Sequence, residues 1–327
     1  MLIFRQLADV PSTFGPSVAT IGNFDGVHLG HKRVLAEVIQ QAESLHAKSI
    51  AISFDPHPAE VLRPGAGPPL ITPLGEKLRL LEATGIDATL VLPFTLAMSR
   101  LSAEVFARTV LRDRLRVVEV HEGENFRFGH NAEAGVDNLA SIGRELGFAV
   151  LVYSPLKLRG DAVSSSRIRA LIAAGDVTQA RSLLGRAFEI ASHPAKGRGL
   201  GSLHTVPTIN LASYEGLLPG NGVYVTCLDI DGESFRAVTN IGNRPTFGED
   251  SFAVESHLLD FHPMLLREET PLTVTFLKRL RGERKWPSTQ ALLAQIQKDV
   301  ARARRFFHLL DRHPATSPQG PASHQNL

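Results

Sequence analysis

The chain has 327 residues, 43% hydrophobic and 21% charged, which is the composition of an ordinary globular protein and not of a fibrous or disordered one; its length predicts two domains. Lys and Arg number 35 against 33 Asp and Glu, a net charge of +2, so bulk charge gives no support to a nucleic-acid partner. No apolar run approaches the roughly 18 residues of a membrane span, MLIFRQLADVPS lacks the pattern of a signal peptide, and a lone Cys227 excludes an internal disulfide, so a cytoplasmic protein without a membrane partner is expected.

In chain order, β-rich runs lie at 17–22, 49–54, 88–94, 116–120 and 147–154. Between them, 31–48 and 74–85 space apolar residues three and four apart, the second ending at a capping Gly85. Strands alternating with amphipathic helices predict an α/β domain with a doubly wound parallel sheet and right-handed crossovers. In such folds ligands bind beyond the carboxyl ends of the strands, where the strand order reverses. A helical run over 165–185 follows, and then the texture turns to Gly, Pro and long alternating strands, with a boundary at 184–190. GVYVTCLDI (222–230), in which Cys227 reads as a buried hydrophobe, and ESFRAVTNIG (233–242) flank Asp231-Gly232, a hairpin signal. With 252–261 and 271–280 they predict an antiparallel β-barrel. A long helix from an N-cap at Ser288 through Leu310 places Leu292, Leu293, Ile296, Val300, Ala303, Phe307 and Leu310 on one face. The domains are therefore expected at 1–184 and 185–312, with 313–327 a disordered tail.

The connection GNFDGVHLGH carries the first chemical signal. A strand ending at Gly22 turns sharply through Phe24, Asp25 and Gly26 into a helix starting near Gly30, and such a helix start offers unpaired N–H groups to a phosphate. His28 and His31, three residues apart, can face one side, and Gly30 removes a side chain from the approach. Donors held there would stabilise charge developing on a transferring phosphate. VSSSRIR (163–169) adds a second element, in which Ser164, Ser165 and Ser166 can cap a helix and bond phosphate oxygens and Arg169 supplies charged donors. A metal site of His28, His31 and His57 lacks a further ligand at suitable spacing.

GNFDGVHLGH, SFDPHP (53–58), ITPLGEK (71–77), GENFRFG (123–129), VSSSRIR and GDVTQARSLLGR (175–186) occur in an order and spacing that resembles the N-terminal module of the bacterial bifunctional riboflavin kinase/FMN adenylyltransferases, the FAD synthetases. PTINL (207–211), LLPGNGVYV (217–225), NIGNRPTF (240–247), VESHLLDF (254–261) and RLRGERKWPS (279–288) likewise resemble their riboflavin kinase module. The resemblance implies a nucleotidyltransferase-like Rossmann domain and a barrel that together make FMN from riboflavin and ATP, and then FAD and pyrophosphate from FMN and ATP, both with Mg2+. It implies that His28 and His31 act on ATP phosphates alongside Gly22, Phe24, Asp25, Gly30 and the serines, and that Asn125, Asp55, Pro56 and His57 take the flavin. In the kinase module it implies that Thr208 and Asn210 hold the metal and phosphates, that Gly197, Gly199 and Gly201 form a phosphate loop, and that Glu255 is the base. The family's usual GRxLGFPTAN reads GRGLGSLHTVPTINL here, and NAEAGVDNL replaces its usual Gly-Asp continuation after GENFRFG. Two alternatives stay open: an adenylyltransferase whose barrel only binds flavin, and a nonenzymatic flavin or nucleotide sensor. Oligomeric state is not readable.

Overall fold

The computed structural model describes residues 1–195, 208–214, 216–243, 252–262, 264 and 266–312. Gly197, Gly199, Gly201 and the tail from 313 lie outside the described residues. The chain forms two compact units, the first mainly Met1–Ala173 with Gln179–Arg186 and the second mainly Ala187–Tyr214 with Leu218–Leu327.

The first unit is a six-stranded parallel sheet of order β1-β4-β3-β2-β5-β6. Its strands are β1 (Leu2–Phe4), β2 (Ser17–Ile21), β3 (Lys48–Asp55), β4 (Ala88–Pro93), β5 (Val117–Gly123) and β6 (Ala149–Tyr153). The helices between them are α1 (Leu29–Ser44), α2 (Pro58–Leu62), α3 (Leu74–Glu82), α4 (Ala103–Phe106) and α5 (Val136–Leu146), and α4 runs on as a π-helix over Ala107–Arg114. All five residues of β2 are buried, as expected of a central strand covered on both faces. One apolar core joins Ile21, Ile52, Leu90, Leu111 and Leu139, and the other joins Val18, Leu35, Val38 and Leu81. The five sequence-predicted strands are all present, and β1, three residues at the edge, is an addition. Chain order reverses between β2 and β5, so the crevice of the doubly wound sheet opens after Ile21 and Gly123.

A two-stranded hairpin, β7 (Lys157–Leu158) and β8 (Asp161–Ala162), precedes α6 (Ser165–Ala173) and α7 (Val177–Leu184). The single helical run expected over 165–185 is thus two helices, broken at Gly175, whose φ of +80° ends the first helix.

The second unit is a six-stranded antiparallel sheet of order β10-β13-β12-β11-β14-β9. It comprises β9 (Phe188–Ser192), β10 (Thr208–Asn210), β11 (Gly222–Ile230), β12 (Glu233–Asn243), β13 (Phe252–Leu258) and β14 (Leu272–Gly282). The edges meet through a Pro194–Leu211 bridge and the bonds Ala195 N–H to Asn210 O and Ala212 N–H to His193 O, both 2.8 Å, which curl the sheet toward a barrel. Asp231 and Gly232 hold φ of +51° and +88°, the left-handed pair that a tight two-residue hairpin requires. Inside, Tyr224 and Phe276 pack edge to face with centroids 5.4 Å apart, and Thr226, Thr239 and Ser256 satisfy one another's buried hydroxyls at 2.7 and 2.8 Å.

On the outer face α8 (Thr289–Arg312) packs Ala303 and Phe307 against Val223, Val225 and Val238. Ser288 caps it, its hydroxyl accepting the Ala291 N–H at 3.2 Å. Only part of the expected apolar stripe is buried, because Leu292, Leu293, Ile296 and Leu310 stay 37–55% exposed. Cys227, expected inside, is half-buried on this same face.

Phe276 is fully buried between Tyr224 and Phe188. Phe276→Ala should lower the stability of the second unit by about 3–5 kcal/mol, read from the urea midpoint of its unfolding transition.

Candidate active sites

Turn geometry builds the first site. Between β2 and α1 the backbone takes positive φ at Phe24 (48°), Gly26 (85°) and Val27 (37°). A β-branched residue in that region is strained by about 1–3 kcal/mol, so something must hold the turn. That something is Asp25, 1% exposed. Its carboxylate accepts the N–H groups of Ile71 and Thr72 at 3.1 and 3.0 Å and pairs with Arg169 at 2.8 Å. Ser165 donates to the Asp25 carbonyl at 2.8 Å, and Arg186 donates to that of Gly26 at 2.8 Å. The turn is thereby tied to the segment before α3 and to the start of α6.

His28 is the N-cap of α1, its Nδ1 accepting the His31 N–H at 3.2 Å. The two imidazoles stack with centroids 3.6 Å apart and planes 12° apart, and His31 meets the Phe24 ring edge-on at 5.2 Å. A Cβ on Gly30 would sit 3.1 Å from the His28 ring, so Gly30 makes room for the imidazole as much as for a ligand. Burial pushes His28 down to about 4, and pushes His31 well below the ordinary value with help from His28 and Lys77. Both rings are therefore neutral near pH 7. The cap bond leaves His28 Nε2 as its N–H donor. Among the described residues His31 Nδ1 is buried without a partner.

The remaining expected residues of this unit fall into two groups. Ser164 caps the start of α6, accepting the Arg167 N–H at 3.3 Å, Ser165 is bound to Asp25, and Ser166 is exposed. Arg169 places Nε on the Pro69 carbonyl at 2.9 Å and an Nη on Asp25, so it braces the turn. At the end of β3, Asp55 and Pro56 are exposed and His57 caps α2, accepting the Ala59 N–H at 3.1 Å. Gly22 follows β2 and Asn125 lies exposed in the turn after β5, on opposite sides of the strand reversal. Glu122, which sequence reasoning missed, is buried where those strands part. It accepts the Ile21 N–H at 2.5 Å, and burial raises its pKa well above the carboxylate range. Lys77 was also missed, although it stands in phase with Leu74, Leu78 and Leu81 on the apolar stripe of α3.

Strand register builds the second site. Asn210 pairs with Glu255, Glu255 with Asn240, Asn240 with Val223, and Val223 with Arg281, one row across the sheet. The next row runs from Thr208 through His257 to Val238. Paired residues share a face, so Thr208, Asn210 and Glu255 stand together on the face that α8 covers. Thr208 Oγ1 lies 3.3 Å from His257 Nδ1. A cavity of about 410 Å³ opens there, lined by Thr208, Asn240, Glu255 and His257 on the sheet side and by Trp286, Leu292 and Ile296 opposite. That volume suits a drug-sized organic molecule, and the half-exposed leucine and isoleucine of α8 are its apolar wall. Arg281 is locked to the buried Asp299 of α8 at 2.9 Å, and Trp286 lies under the Arg281 and Arg284 guanidiniums at 5.5 and 4.9 Å. Of the basic segment 279–285, Arg281 and Arg284 are part of the cavity wall. Asn240 and His257 were missed because only register aligns them with Glu255.

As for a divalent cation, the hydroxyl of Thr208 and the amide of Asn210 alternate onto one face of β10 and offer hard oxygen donors, which suits Mg2+. Among the described residues no cluster of three His, Cys, Asp or Glu is placed to hold a metal, so the three-histidine site has no counterpart there.

The FAD synthetase family matches residues 11–167 and the riboflavin kinase family residues 184–307. The chain is 37% identical over 305 residues to the bifunctional riboflavin kinase/FMN adenylyltransferase of Pseudomonas fluorescens, covering 93% of this chain and 97% of that protein. It is 34% identical to that of Escherichia coli over 89% and 93%, and 31% identical to that of Haemophilus influenzae over 94% and 100%. The solved structure of a macrolide-efflux protein from Streptococcus pneumoniae shares the fold, with a TM-score of 0.81 at 24% identity over 93% of this chain and 98% of that one. Among the described residues no helix is long and apolar enough to cross a membrane.

Two outcomes follow for the first site. Asp25→Asn leaves Arg169 without its carboxylate and should destabilise the first unit by about 3–5 kcal/mol in urea unfolding. Because His28 falls from 6.5 to about 4 on folding, the unfolded chain binds more protons between those values. Stability is then full above pH 6.5 and declines toward pH 4, by about 3 kcal/mol from this group alone. Unfolding midpoints at pH 7 and pH 4.5 should differ less in His28→Gln.

Proposed function

The chain belongs to the bifunctional riboflavin kinase/FMN adenylyltransferase family, and we propose that the two clusters described above carry its two reactions. It is a flavin biosynthesis enzyme that phosphorylates riboflavin to FMN with ATP and adenylylates FMN to FAD with release of pyrophosphate. Residues 1–184 are assigned the second reaction and 185–312 the first.

In the adenylyl transfer, ATP phosphates lie at the N-terminus of α1, against the backbone N–H groups of Leu29 and Gly30 and the His28–His31 pair. The stacked pair at the strand reversal is the observation that carries this assignment. Neutral imidazoles donate hydrogen bonds to the α-phosphate and the departing pyrophosphate without forming a covalent bond to either. Ser164, Ser165 and Ser166 complete the phosphate side with the backbone at Gly22, Phe24 and Gly30, while Asp25 and Arg169 fix the turn. Asn125, Asp55, Pro56 and His57 hold the flavin.

In the kinase reaction the flavin enters the cavity beside Trp286, Leu292 and Ile296, and Glu255 takes the proton from the riboflavin hydroxyl as it attacks the γ-phosphate of ATP. Thr208 and Asn210 would hold Mg2+, which would offset phosphate charge. Gly197, Gly199 and Gly201 are proposed to approach the phosphates.

Full-length protein with riboflavin, ATP and magnesium should yield FMN and then FAD by chromatography. Riboflavin left untouched while supplied FMN becomes FAD would mean a barrel that only binds flavin. The double variant His28→Ala/His31→Ala should lose FAD formation by about 10²–10³-fold and keep FMN formation. Glu255→Gln should show the reverse, with FMN formation reduced by about 10²–10⁴-fold.

A further inference from the structure

Lys77 is a charged side chain that neither assignment uses. It lies in the first turns of α3 and is 3% exposed, and among the described residues its ammonium makes no hydrogen bond or ion pair. Burial pulls its pKa down from the ordinary lysine value, while Asp25 and Asp55 pull it back up. Asp25 is already engaged by Arg169, Ile71 and Thr72, and Asp55 is exposed at the end of β3. On its other side the Lys77 charge reaches both His31 and His57, lowering the pKa of each. The ammonium thus stands within electrostatic reach of the imidazole pair at α1 and of the Asp55–His57 corner at once. Among the described residues the nearby Nδ1 of His31 is buried without a partner.

A desolvated cation without its own counterion is unfavourable in a fold, and an anion brought by a ligand removes that penalty. The place of Lys77, between the segments assigned to ATP phosphates and to flavin, identifies the anion. We propose that Lys77 is a catalytic residue of the adenylyl transfer, its ammonium set where the phosphate of FMN meets the α-phosphate of ATP. The proposal rests on the site assignments made above for His28, His31 and residues 55–57.

In this step an oxygen of the FMN phosphate dianion forms a bond to the α-phosphorus. The bond from that phosphorus to the oxygen bridging to the β-phosphate breaks, and pyrophosphate leaves with the electron pair. No proton is abstracted from the nucleophile, so the step needs no general base. What opposes it is repulsion between two polyanions, which in a dry crevice is far stronger than in water. A fixed ammonium touching both phosphates counters that repulsion most in the transition state, where they are closest.

The test is steady-state kinetics of full-length Lys77→Met, an apolar side chain of similar length. FAD formation from FMN and ATP should fall in kcat by about 10²-fold or more with a raised KM for FMN. Riboflavin phosphorylation should be unchanged, and the melting temperature of the first unit should hold or rise, since a buried charge has been removed. Inorganic pyrophosphate should raise that melting temperature less in the variant than in the wild type, since the His28–His31 pair is intact in both. Lys77→Arg, which keeps a cation, should recover part of the lost rate, a rescue that a packing role would not produce. Should Met fail to fold, Lys77→Gln carries the same measurements. FAD synthesis by K77M at the wild-type kcat and KM would overturn the proposal. If only K77M keeps the activity, this inference falls alone. If the double variant His28→Ala/His31→Ala keeps it too, the site assignment falls with it.

Discussion

The carboxylate of Asp25 is the point on which the first unit's chemistry turns. The chain between β2 and α1 takes a conformation that Phe24 and Val27 do not adopt readily, and no regular secondary structure holds it. Asp25 does so by accepting two backbone N–H groups from the segment before α3 and a guanidinium from α6. A buried carboxylate with three such partners is stable only if all are present, because losing one leaves a charge or an amide without compensation. The turn, α3 and α6 are therefore fixed together or not at all. The position of the His28 ring, the orientation of the first N–H groups of α1 and the depth of Lys77 all follow from that one contact set.

Where the strand ladder ends, a second constraint of the same kind appears. β2 and β5 pair only as far as Ala19 and Val120, and beyond that the diverging strands would leave the Ile21 N–H buried and unbonded. Glu122 supplies its partner, a carboxyl whose pKa burial raises well above the carboxylate range. The strands can then part at the crevice without an unsatisfied donor, and the two turns leaving them start from fixed points. One turn carries the imidazoles and the other carries Asn125.

Strand and helix periodicity made the α/β sheet, the hairpin at Asp231-Gly232 and the long terminal helix legible in the sequence. β1 was hidden because three residues carry no period. The break at Gly175 did leave a mark, since the buried positions Ile168 and Ile172 of α6 and Val177, Ala180 and Leu184 of α7 are out of phase for one continuous helix. Among site residues, the His28–Gly30–His31 arrangement was visible as a helix start. The bracing role of Asp25 and Arg169 was not, since their partners lie 46 and 144 positions away along the chain. Asn240 and His257 became site residues only through register, which alternation alone does not specify. Lys77 did leave a mark, a lysine on an otherwise apolar stripe, and that mismatch between period and chemistry is the signal by which it could have been found.

In the proposed scheme the two sites meet the same problem, a polyanionic nucleotide, with different means, and the difference follows from their secondary structure. A helix start offers N–H dipoles and capping imidazoles that bind anions while carrying little net charge, so the first site needs only one buried cation to bring two phosphates together. A strand face offers no such dipoles, because its backbone groups are consumed by the ladder. In the second site the described lining carries the carboxylates of Glu255 and Glu283 together with Arg281, which is bound to Asp299, and Arg284, whose guanidinium lies over Trp286. On the sheet itself, triphosphate charge would meet the Glu255 carboxylate and no backbone dipoles. The neutral oxygens of Thr208 and Asn210 answer that imbalance in the proposed scheme, since they can seat a cation that arrives with the nucleotide and leaves with it.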